Sequence, residues 1–240
     1  MGGAGWAAAA DADAADAAAT NKLPRDLDNP LDNWLMDASA RLLPHLWESG
    51  HTPNLITTYS FVCGLGAVYA LHTGGAGPVF AVLHILAYFF DVVDGQLART
   101  YCMVSRFGDL YDHTTDAVVF VALAYVVWLR YRPSLAVAAV FAAFGSLTLM
   151  HLGCQQRWYN RRRAPPPPDG DHDTPDDDHE EETLDTLERT CPGVRWLPVT
   201  RYFGAGTLQL VVIVGLVFWL EHQKGRRRGG KTSAAAGPPG

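Results

Sequence analysis

Four aspartates fall within 26 residues of this 240-residue chain: Asp91, Asp94, Asp112 and Asp116, in DVVDGQLARTYCMVSRFGDLYDHTTD. Apolar runs flank the stretch, HILAYFF before it and AVVFVALAYVVWL after it. Asp91 and Asp94 are three residues apart, and Asp112 and Asp116 four apart, so each pair shares one face of a helix. Gly95 and Ala98 continue the first face with almost no side chain. The short connection TYCMVSRFG folds two such helices back antiparallel, and the four carboxylates then converge. Bare carboxylates packed that closely in a poorly solvated place raise one another's pKa. Protons can neutralise them, as in a proton-coupled transporter. Divalent cations can do so too, and hard oxygen ligands select Mg²⁺, Mn²⁺ or Ca²⁺. Two such metals with open positions would clamp a pyrophosphate. Arg99 and Arg106 are too few to balance four acids as structural ion pairs alone.

The elements that must position these residues are membrane helices. Apolar blocks at about 54–73, 77–99, 109–131, 134–154 and 203–221 approach the roughly 20 residues a span requires. Before them, Leu31, Trp34, Leu35, Ala38, Leu42, Leu43, Leu46 and Trp47 recur at helical spacing. They predict an amphipathic helix within 26–50, lying in the membrane interface. The expected fold is all-α: a polytopic membrane bundle of five to six helices after an interfacial helix. Residues 51–154 form its catalytic core and 201–223 its last span. Residues 1–25 read as a disordered Ala-rich tail rather than a signal peptide, and 224–240 as a basic disordered tail. Residues 155–200 read as a polar, partly disordered cytoplasmic loop.

Net charge is −6, yet residues 169–188 hold 11 of the 25 acids and no Lys or Arg. Outside that tract basic residues exceed acidic ones, which suits a membrane surface. The arginines at the second and fourth connections place both, and the site, on the cytoplasmic side. Five spans then put the basic C-terminal tail on the opposite side, against the same rule. The four cysteines have no metal spacing, and no disulfide framework is expected. Cys63 and Cys154 read as buried thiols. Asn54, opening the first span beside the site, reads as its N-cap, with contact to a nucleotide as the alternative.

The pattern Asp91-x2-Asp94-Gly95-x2-Ala98-Arg99-x8-Gly108-x3-Asp112-x3-Asp116 fixes eight residues at set spacings. It resembles the signature of the CDP-alcohol phosphatidyltransferase family, class I. TPNLIT at 52–57 is similar to the start of that family's first span, and the resemblance extends over roughly 31–154. It implies six spans and a membrane phospholipid-synthesis enzyme. The enzyme would transfer a phospho-alcohol or phosphatidyl group from a CDP-linked lipid or amino alcohol to the hydroxyl of a lipid or polyol acceptor, releasing CMP. Asp91, Asp94, Asp112 and Asp116 would surround two Mg²⁺ or Mn²⁺ ions, Asp116 also being the general base. Gly95, Ala98, Arg99 and Gly108 would bind the CDP moiety. His113 after Asp112 is similar to the choline/ethanolamine phosphotransferase branch, although DGQLAR lacks that branch's Lys after the Gly. His113, Arg157 and Arg161 are candidate acceptor or headgroup residues. The family also implies a homodimer; no nucleic-acid partner is expected. An internal membrane of the endoplasmic-reticulum type, or the plasma membrane, would hold it. A pyrophosphate-dependent intramembrane prenyltransferase and a proton-coupled transporter stay open as alternatives.

Overall fold

The computed structural model describes residues 21–74, 77–163 and 188–219. Among them every regular element is helical. The helices are α1 (Pro30–Ala40), α2 (Leu43–Glu48), α3 (Pro53–Thr73), α4 (Gly77–Thr100), α5 (Arg106–Tyr131), α6 (Leu135–Arg163), α7 (Leu197–Thr200) and α8 (205–219). Five segments are long and apolar enough to cross a membrane: α3, α4, α5, α6 and the stretch Val194–Trp219 that ends in α8. Five, not six, are found among the described residues.

Local chemistry sets the boundaries. The amphipathic stretch breaks into α1 and α2 because Pro44 has no N–H to bond the carbonyl of Ala40, where α1 ends. Asn29 caps α1 by accepting from the Leu31 N–H at 2.9 Å, with Pro30 following as a first-turn residue. Thr52, not Asn54, caps α3, and Pro53 opens that helix. Ser105 caps α5 by accepting from the Gly108 N–H at 3.0 Å. Gly74 ends α3 at φ +70°.

α3 packs against both α4 and α5 and so fixes their separation. Small residues allow the approach. A Cβ on Gly64 would lie 2.9 Å from the Val119 methyls of α5, and one on Gly66 would lie 3.2 Å from Leu83 of α4. Ala67, Leu71, Phe80, Leu123, Val126 and Leu216 form the core between these helices and α8. The Trp219 and Tyr131 rings meet edge-on, centroids 4.5 Å apart, and the Tyr131 hydroxyl donates to the Leu71 carbonyl.

The region taken as a polar loop is partly structured. α6 continues past Cys154 to Arg163, so RWYNRRR is the end of a helix. Residues 188–205 fold back onto that end. Contrary to expectation, Cys154 is not a free thiol: it forms a disulfide with Cys191. Helical continuation past 154 and the return of the chain bring together two cysteines 37 positions apart, a closure that sequence spacing does not encode. Residues 164–187, with the acidic tract, lie outside the described residues, as do 75–76, 1–20 and 220–240. Residues 21–25, read as tail, belong to the fold: Leu23 is buried with Cys154, Cys191 and Leu197.

The RYFGAGT segment receives the N-terminal region. The Asn29 amide donates to the Arg201 carbonyl and the Thr207 hydroxyl, both at 2.7 Å. A Cβ on Gly204 would strike Asn29, and one on Gly206 would strike Asp32. Asp32 accepts from the Tyr88 hydroxyl at 2.7 Å. Burial pushes the Asp32 carboxyl up to about 6; the Tyr88 hydrogen bond opposes this, the Asp28 charge adds to it, and the Gly206 N–H opposes it.

Denatured protein should expose two thiols, Cys63 and Cys102, without reductant and four with it, as counted by alkylation and mass spectrometry. Chain entropy gives this cross-link about 4 kcal/mol, so C154S should lower the unfolding temperature. The folded Asp32 carboxyl holds its proton more tightly than the unfolded one. Its stabilising contribution is thus complete below about pH 3.9 and is lost as pH rises through 6, by at most about 3 kcal/mol. Asp32→Asn should therefore flatten the fall of melting temperature between pH 4 and 7 relative to the wild type.

Candidate active site

α4 and α5 carry the aspartates, and the five-residue link from Tyr101 to Ser105 turns the chain between them. Cys102 takes a left-handed conformation there, at φ +53°, and the Met103 N–H bonds the Ala98 carbonyl at 2.8 Å. α1 and α2 hold the other side of α4. Leu43 packs with Ile56, Val93 and Leu97, Trp47 stacks on Tyr101 at 4.6 Å, and Ser39 hydrogen-bonds Gln96.

This scaffold brings together three of the four acids. One oxygen from each of Asp91, Asp112 and Asp116 lies within 4.8 Å of the others. Asp94 is outside this group and more deeply buried, with one oxygen accepting from the Thr57 hydroxyl at 2.6 Å. Its charge still acts together with those of Asp112 and Asp116. Oxygens placed about 2.0–2.6 Å from one ion lie no more than about 5 Å apart, a condition the trio meets. An all-carboxylate donor set is that of a hard divalent cation.

The small residues of the motif admit neighbouring polar groups. The Arg99 guanidinium folds back over Gly95, where a Cβ would lie 3.1 Å from it. At Gly108 a Cβ would meet the Asn54 side-chain amide oxygen, Oδ1, at 2.9 Å and the Ser105 hydroxyl at 3.0 Å. Asn54 therefore lies against the start of α5. Thr58 and Tyr111 make a second α3–α5 link, with their hydroxyls 3.1 Å apart. The polar positions of TPNLIT thus serve the site: Asn54 abuts Gly108 and Thr57 holds Asp94. Sequence reasoning missed Thr57. The run of hydroxyls Thr57, Thr58, Tyr59 and Ser60, one turn into a membrane span, was the available signal.

The other sequence candidates differ in how near they come to the trio. His113 is exposed and its Nδ1 bonds the Asp109 carbonyl at 2.8 Å, a local contact one turn back. Its Nδ1 is 3.9 Å from Asp112. Arg157 and Arg161 occupy the last turns of α6, and among the described residues no hydrogen bond or ion pair joins either to the aspartates.

Comparison with known proteins supplies a family. A model of the CDP-alcohol phosphatidyltransferase family matches residues 50–167. The sequence is 38% identical over 65 residues to CDP-diacylglycerol–inositol 3-phosphatidyltransferase 1 of Arabidopsis thaliana, covering 27% of this chain and 29% of the relative. It is 36% identical over 64 residues to the probable second such enzyme of that plant, covering 27% and 28%. A bifunctional IPC transferase and DIPP synthase of Archaeoglobus fulgidus is 31% identical over 99 residues, covering 41% and 20%. The chain thus spans less than a third of the length of these curated relatives. No solved structure matches. Through residues 50–167, which carry all four aspartates together with Asn54 and Thr57, the chain belongs to the CDP-alcohol phosphatidyltransferase family, class I.

Proposed function

We propose that this protein is an integral membrane transferase of phospholipid synthesis. It moves a phosphatidyl group from a CDP-linked lipid to the hydroxyl of a polyol acceptor and releases CMP. The observation that carries the reading is the gathering of Asp91, Asp112 and Asp116, on two helices, within the family's signature. A CDP-diacylglycerol donor is favoured over CDP-choline or CDP-ethanolamine by the printed names of two relatives. The local bonding of His113 gives the choline/ethanolamine branch no support. Family membership takes the place of the prenyltransferase and transporter readings.

In this mechanism Asp91, Asp94, Asp112 and Asp116 hold two Mg²⁺ or Mn²⁺ ions. Bound there, the ions supply Lewis acidity that offsets charge on the phosphoryl oxygens and on departing CMP. Asp116, an exposed member of the trio, takes the proton of the acceptor hydroxyl. The acceptor oxygen bonds to the lipid-linked phosphorus as the phosphorus–oxygen bond to CMP breaks, CMP leaving with the electron pair. Asp94 is kept in place by Thr57. Gly95, Ala98 and Gly108 leave room for cytidine, with Arg99 beside the phosphates. Arg99, Arg106, Arg157 and Arg161 favour the cytoplasmic face for this end of the bundle, in an internal or plasma membrane. The apolar outer face of α5, with Phe120, Tyr125 and Trp128 exposed, suits lipid or a second copy in a homodimer.

Purified protein with Mn²⁺ should release CMP from CDP-diacylglycerol when offered a polyol such as inositol. Folded protein releasing none with any CDP-alcohol would overturn the reading. Asp116→Asn should lower kcat by about 10² or more while CDP binding, measured by titration calorimetry, stays within a few-fold. Equal loss of both would assign Asp116 to binding instead. Thr57→Val removes the donor to a buried carboxylate, a change of about 1–3 kcal/mol. It should shift the Mn²⁺ dependence of turnover to roughly tenfold higher concentration, and an unchanged metal titration would count against it.

A further inference from the structure

Asp91 meets the α5 carboxylates only while α4 keeps one rotation about its own axis. A shift by one residue position turns a helix by about 100°, enough to carry Asp91 out of ligand range. α4 packs chiefly on α3 and α1, not on α5. The carboxylates of α5 repel Asp91 while no cation lies between them. The rotation of α4 must therefore be set on its other faces.

Polar side chains set it there. The Tyr88 hydroxyl, one turn before Asp91, donates to Asp32 of α1 at 2.7 Å. Gln96, just past Asp94, accepts from the Ser39 hydroxyl of α1. Asp32 and Ser39 are seven residues apart and share a face of α1. One face of α1 therefore grips α4 before Asp91 and again after Asp94. Farther along α4, the His84 Nε2 lies 2.7 Å from the side-chain oxygen of Gln209 in α8. Ser39 is 0% exposed, and His84 and Gln96 are each 6%. Polar groups enclosed in a membrane bundle find little water when a partner is lost, and a paired buried network is rigid. Apolar contacts alone would let α4 turn at smaller cost. α1 is itself fixed: Gly206 leaves room for Asp32, and Asn29 bonds Arg201 and Thr207.

We propose that Asp32 and Tyr88, braced by Ser39 and Gln96, are positioning residues that set the rotation of α4 and so aim Asp91 at the metal. They act through Asp91 and not on the reacting groups. The inference rests on the reading of the aspartates as a metal site.

The test uses the full chain in detergent, as wild type, Tyr88→Phe, Asp32→Val, Asp32→Asn and Ser39→Ala. Tyr131→Phe is the control: its hydroxyl also donates to a carbonyl, that of Leu71, but at the opposite end of α5. Mn²⁺ binding without substrate is followed by paramagnetic resonance, thermal unfolding is recorded, and kcat and KM for inositol are measured with CDP-diacylglycerol. Y88F and D32V should weaken Mn²⁺ binding about tenfold and lower kcat, with the KM for inositol little changed. D32N keeps an oxygen to accept the Tyr88 hydroxyl and should recover most of the loss. S39A should shift Mn²⁺ binding in the same direction, and it carries the test if Y88F or D32V fails to fold. Y131F should lose thermal stability yet bind Mn²⁺ as wild type does. Wild-type Mn²⁺ affinity in the folded α1–α4 variants overturns the proposal, whatever their unfolding temperatures. So does D32N as impaired as D32V, because charge and not the hydrogen bond would then matter. A rise in the KM for inositol as the only effect also overturns it, since the pair would then contact the acceptor. Wild-type protein that binds no Mn²⁺ overturns the functional reading and this inference with it; wild type that binds Mn²⁺ no better than its variants overturns this inference alone.

Discussion

Carboxylates repel one another, and within an apolar bundle they have little water to screen them. Holding Asp91, Asp112 and Asp116 within ligand distance of a single point therefore requires a scaffold that cannot relax by moving α4 away from α5. α3 provides it. Gly64 and Gly66 bring its backbone close to Val119 on one side and Leu83 on the other. Larger side chains there would push the helices apart and dissolve the cluster. α3 also contributes polar groups: Thr57 to Asp94, Asn54 beside Gly108, and Thr58 to Tyr111. Packing and chemistry thus reside in the same helix turns.

The second support comes from outside the spans. α1 and α2 cover the far side of α4, while the chain before them is held by the segment that the Cys154–Cys191 disulfide ties to α6. Gly204 and Gly206 matter because a Cβ at either would collide with Asn29 or Asp32. A small backbone detail at the entry to α8 thus determines how the N-terminal region reaches the site. The disulfide lies at the same end of the bundle as the aspartates, so reduction would loosen the segment that packs on Leu23 and binds Asn29.

The curated relatives match this chain over 64 to 99 residues, under a third of their length. The acids, small residues and spacing are prescribed by the geometry of two facing helices, whereas lipid-facing residues need only be apolar.

Much of this was legible in the sequence. Four spans were placed within a few residues of their observed starts, because about twenty apolar residues have no other stable use. Asp91 and Asp94, like Asp112 and Asp116, had to share helix faces because the helical period is 3.6. What sequence could not supply depends on contacts between distant residues. Ends moved where a polar stretch remained helical, as at 155–163, and the interfacial helix broke at Pro44. Asp94 turned to Thr57, 37 residues away, rather than to the other acids. Cys154 met Cys191 only because α6 and the returning chain end side by side. Asn29 met Arg201 and Thr207 only because the chain returns to the N-terminal region after α6. Periodicity and spacing record what a helix does by itself, so the sequence determined the spans and the chemical type of the site. Which side chains complete that site was decided by tertiary packing, because hydrogen bonds, like charges and close backbone approach depend on separations in space that the order of residues does not carry.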